Sequence, residues 1–96
     1  MDEISLILDN NHPMFSRALE IVRENREKPV KEIALYLRNV IGMWASGNSL
    51  PGAASVAEKK SLEHGLQLIR RLKADEQSVY WKGLARHFLQ RIEEGN

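Results

Sequence analysis

The chain has 96 residues, 43% hydrophobic and 28% charged, the balance of an ordinary globular domain, which excludes a disordered tail or a membrane-embedded bundle. Fourteen basic residues against thirteen acidic ones leave a formal charge of +1, so no global field draws the protein to nucleic acid or anionic lipid, and any basic function has to be local. The absence of cysteine removes disulfides, thiolate nucleophiles, iron–sulfur clusters and cysteine zinc sites.

Neither a signal-like start nor an apolar run near the ~18 residues of a spanning helix is present, so no membrane role is expected and the cytoplasm is the expected compartment. A domain this small is marginally stable alone, and association is one way to bury more surface, which points towards a homo-oligomer.

Residues 1–10 alternate Ile4, Leu6 and Leu8 as a strand would, but a lone strand has no edge to pair with, so a short helix capped by Asp2 is the better reading. Pro13 suits the first turn of a helix over 13–26, with Asn11 or His12 as its cap and Met14, Phe15, Ala18, Leu19, Ile21 and Val22 on its apolar face. The polar run Glu24–Lys28 ends that helix. Pro29 then opens a second one over 29–46, which makes the link a tight hairpin or corner.

The second helix carries the clearest pattern in the chain. Val30, Ile33, Ala34, Leu37, Val40, Ile41 and Trp44 fall within roughly 120° of the helical wheel at 100° per residue. Tyr36 and Met43 widen that band on one flank, and Leu35 points to the opposite side.

Small, turn-forming residues mark a loop over 46–54. Ser55-Val56-Ala57-Glu58 fits a capping box at the start of a third helix over 55–73. Its expected buried stripe is Leu62, Gly65, Leu66, Leu68, Ile69 and Leu72, with Lys60, His64, Gln67 and Arg71 outside. Asp75 is the expected cap of a fourth helix over 75–93, whose inner face is Trp81, Leu84, Ala85, Phe88 and Ile92, with Leu89 beside it. Lys82, Arg86, Gln90 and Glu93 lie on its outer side. The expected fold is therefore all-α: one compact four-helix domain over 1–96, built of two helical hairpins, with a short N-terminal helix ahead of them. Leu19–Arg23 resembles Leu66–Arg70, as two amphipathic helices commonly do.

No motif singles out a chemistry. His12, His64 and His87 are not at helical pair spacing and have no acidic partner in a metal-binding pattern; a helix cap and a solvated face account for the first two. Neither His64 nor His87 has the lysine three residues on that a phosphotransfer helix carries, since Gln67 and Gln90 stand there. Glu20, Glu24, Glu32, Glu63 and Glu93 project away from the apolar stripes, so none is desolvated for acid–base work. A phosphate-cradling glycine loop and a nucleophile elbow are both missing. The expectation is a non-enzymatic protein with no cofactor and no metal.

What remains is surface. The first and third helices carry apolar bands of roughly 160°, wider than the ~100° a surface helix needs. Tyr80, His87 and Arg91 line one edge of the fourth helix beside Leu84, and aromatic residues and arginine at a core margin are enriched at binding surfaces. The primary expectation is a small regulatory or adaptor protein that self-associates and acts through protein contacts, using Tyr36, Met43, Tyr80, Leu84, His87 and Arg91, with Leu35 as an exposed outlier. One alternative is nucleic-acid binding through Arg70, Arg71, Lys73, Lys82 and Arg86, although acidic residues are interspersed and the 45–54 loop is too long for a helix-turn-helix. Another is a small anionic ligand held by Tyr80, His87 and Arg91 at an oligomer seam. For each of these residues a snorkelling or solvated role is the bland counterpart.

Overall fold

A computed structural model describes residues 4–8, 11–12, 14–46 and 56–95. The expected roles of Asp2 and Pro13, the bulk of the 46–54 loop, and the Ser55 end of the capping box lie outside the described residues, as do the side chains of Leu6 and Glu58.

The N-terminal segment forms a single 3₁₀ turn, Ser5–Leu8. The i, i+3 spacing of such a turn sets Ile4 and Ile7 on one side, and both are fully buried. The chain next pauses at His12, whose Nδ1 accepts a hydrogen bond from the Met14 backbone N–H at 3.1 Å. Helix α1 (Phe15–Glu24) follows. It is shorter than 13–26 because the Asn25 side-chain amide donates to the Ile21 carbonyl at 2.7 Å, taking the place of a further helical turn.

Helix α2 (Val30–Ala45) begins after Pro29 and ends where the Ser46 hydroxyl donates to the Gly42 carbonyl at 2.6 Å. Its seam is the spine of the core: Ile33, Ala34, Leu37, Val40, Ile41 and Trp44 are buried, and Val30 packs at the margin. Helix α3 (Val56–Arg70) buries Leu62, Gly65, Leu66 and Ile69 against α2. Leu68 and Leu72 are exposed, contrary to the expected stripe, because α3 has one principal neighbour and its apolar band is wider than that neighbour can cover.

Helix α4 (Ala74–Glu93) starts one residue before the expected Asp75 cap. The Lys73 backbone N–H donates to the Glu76 carboxylate at 3.4 Å, which is half a capping box; a lysine side chain offers no acceptor for the other half. The Gln77 amide donates back to the carbonyls of Arg70 (3.3 Å) and Leu72 (2.9 Å), so the 71–73 turn is stitched from the α4 side. This replaces the expected continuation of α3 to residue 73.

The fold is all-α, with four α-helices around one core among the described residues. Helix α4 packs chiefly on α2 and also on α1, and the 3₁₀ turn rests on α1 and α4. Trp44 and Phe88 are the largest fully buried side chains, and no polar or charged side chain is buried among the described residues. Within those residues, no helix is long and apolar enough to cross a membrane.

Candidate interaction surface

The helix packing separates the residues expected to form one interface. Leu84 is a core residue, only 5% exposed, and is not available to a partner. Arg91 turns inward: Nη1 donates to the Leu8 carbonyl at 2.9 Å, and the guanidinium carbon lies 4.9 Å from the centre of the Phe15 ring. Tyr36 is half-buried, with the Lys28 ammonium 5.2 Å from its ring centre and donating to its hydroxyl at 3.4 Å. Tyr80 packs edge-on against Trp81, with ring centres 5.4 Å apart. His87 is exposed. The α4 edge carrying Arg91 faces α1 and the N-terminal turn, not the Tyr36 flank of α2.

Met43 and Leu35 fare differently. They are 50% and 46% exposed, and each lines a surface groove. The first, of about 460 Å³, lies where α2, α3 and α4 meet and includes Arg38, Gly42, Met43, Leu66, Ile69, Arg70 and Trp81. The second, of about 240 Å³, continues between α2 and α4 with Lys31, Leu35, Arg38, Gln77, Trp81 and Lys82. They share Arg38, Gln77 and Trp81 and so adjoin, and the two together are called the groove.

Its chemistry is uneven. Leu35 and Met43 stand up from α2 beside the nearly buried edges of Trp81, Leu66 and Ile69, and Asn39, Ser46, Gln77 and Ser78 add polar groups to the lining. The banks are cationic, with Lys31 and Arg38 on α2, Arg70 on α3 and Lys82 on α4. No carboxylate lines either part among the described residues, although the chain is nearly neutral overall. Two members of the expected nucleic-acid set, Arg70 and Lys82, therefore stand on this groove. Arg71, Lys73 and Arg86 are exposed and do not line it.

Sequence reasoning missed Lys31, Arg38 and Gln77. The spacing of Lys31, Leu35 and Arg38 at i, i+4 and i+7 is a legible signal, since it sets a basic–apolar–basic stripe outside the core band of α2. Gly42 lies in the groove between Arg38 and Ser46, and a Cβ built there meets nothing within 4 Å beyond its chain neighbours and its own helix's backbone.

A second, flatter surface lies at the α3–α4 corner. Exposed Leu72 and Val79 join Tyr80 there, flanked by Asp75 and Glu76. The described residues hold no cluster of His, Cys, Asp or Glu that would bind a metal ion. The Ser46 hydroxyl at the groove is engaged with the Gly42 carbonyl. No family model, curated protein or solved structure matches the chain.

Proposed function

We propose that this chain is a small non-enzymatic adaptor or regulatory protein that works through protein contacts, and that the α2–α3–α4 groove is its working surface. The observation that carries the reading is that half-exposed Leu35 and Met43, side chains that contribute little to the core, line a concave site. Large apolar side chains standing in a concave, polar-rimmed site are the composition of an interface centre. A cysteine-free chain makes no demand on an oxidising compartment, which fits the cytoplasm.

Affinity capture from the native host tests this. Proteins retained by the wild-type chain and by a Val79→Asp control, but lost with Leu35→Asp/Met43→Asp, are the expected outcome. Identical capture by all three, or capture abolished by nuclease, overturns it.

Self-association is a second reading, favoured by the corner patch of Leu72, Val79 and Tyr80, whose acidic flank is opposite in charge to the groove. One copy's corner docked on another's groove is a head-to-tail contact, and such contacts build rings or open chains. Sedimentation at micromolar concentration should then show assembly that Val79→Asp disrupts. A monomer across that range removes the reading.

A further inference from the structure

Resting on the reading of the groove as a protein-binding surface, we propose that its occupant is an acidic amphipathic helix of a partner protein. The cations occupy both banks: Lys31 and Arg38 on one side, Arg70 and Lys82 on the other, with apolar groups between and no described carboxylate lining the groove. A single helix laid along the floor with its apolar stripe down brings the residues flanking that stripe against both banks, and carboxylates are the groups these banks reward.

Spacing makes the demand specific. Lys31 and Arg38 are about 10 Å apart along α2 at 1.5 Å per residue, and Leu35 stands between them. A helix running beside α2 matches this with acidic residues about seven positions apart and an apolar residue between, at i+3 or i+4. The α2 bank from Lys31 to Met43 is roughly 18 Å long, which accommodates three turns of such a helix.

Nucleic acid satisfies the cations but not the exposed apolar side chains Leu35 and Met43. Trp81 is 4% exposed and offers no face for a base to stack on, and neither Tyr36 nor Tyr80 lines the groove. Phosphates on the banks would leave Leu35 and Met43 without apolar partners.

A display library of 18-residue helices tests the proposal, with a fixed leucine stripe at i, i+4, i+7 and i+11 and flanks randomised among Glu, Lys and Gln, selected against the whole protein. Glu should dominate the selected flanks. A Glu-flanked peptide should bind at least tenfold more tightly than its Lys-flanked counterpart by fluorescence anisotropy. Arg38→Glu/Lys82→Glu should invert that order, and circular dichroism should report an unchanged helical fold for the variant. Peptides selected without charge bias but lost with Leu35→Asp/Met43→Asp overturn the acidic occupant and leave the groove reading standing. No enrichment over that double variant overturns both. Binding of duplex DNA or single-stranded RNA that displaces Glu-flanked peptides assigns the groove to nucleic acid, and assembly blocked by Val79→Asp assigns it to a second copy; either result overturns the acidic partner helix.

Discussion

Arg91 and His12 hold the N-terminal segment to the body of the molecule from two sides. Arg91 reaches from the last turns of α4 to the Leu8 carbonyl, and its charge lies against the Phe15 ring. A hydrogen bond from a charged donor is worth about 1.5–3 kcal/mol, so Arg91→Ala should cost about 2 kcal/mol. In a domain of this size that lowers the melting temperature by roughly 10 °C, which thermal melting by circular dichroism would register. Loss of hydrogen-exchange protection at the Ile7 amide, bonded to the Ile4 carbonyl, should accompany it. Arg91→Lys should not restore the loss, because an ammonium lacks the planar fork that serves carbonyl and ring together. His12→Ala removes the acceptor for Met14 N–H and a tilted ring contact with Trp44 at 5.6 Å, and should destabilise by about 1 kcal/mol in urea denaturation. Arg91, expected at an interface, therefore acts inside its own chain, and its substitution measures folding.

At the scale of elements, the α3–α4 corner depends on Gln77. Its amide satisfies two carbonyls that the end of α3 leaves open, and Gln77→Ala should shift the denaturation midpoint by an amount worth about 1–2 kcal/mol. Helix α2 was fully legible in the sequence because a seven-residue apolar band has one physical solution, and the burial of Ile33 to Trp44 follows it. Helix α3 is legible only in part: a helical wheel counts apolar residues but not the neighbours that can cover them, so the pattern puts Leu68 and Leu72 inside, whereas both lie outside. Helix ends shifted where a side chain overrode the pattern, as Asn25 does on Ile21 and Glu76 does for Lys73. Half the groove was visible as Lys31, Leu35 and Arg38 on one helix. The other half, Arg70, Trp81 and Lys82, needs α3 and α4 to be brought against α2, and no local signal encodes that.

For the molecule as a whole, the core and the proposed docking surface are separable. Leu35, Arg38 and Met43 are exposed, so Leu35→Asp, Arg38→Glu and Met43→Asp should each keep stability within about 0.5 kcal/mol by thermal melting while docking is lost. Gly42 takes that separation further. Glycine inside a helix costs roughly 0.5–1 kcal/mol relative to alanine, and an alanine methyl at this position would meet nothing within 4 Å beyond its chain neighbours and its own helix's backbone. Gly42→Ala should therefore melt roughly 2–8 °C higher, and the added methyl should loosen anything seated above it. Thermal robustness and docking thus pull in opposite directions at a single carbon atom. A population of variants selected for heat resistance alone should acquire alanine at 42, and with it a sturdier protein whose proposed docking groove is partly filled.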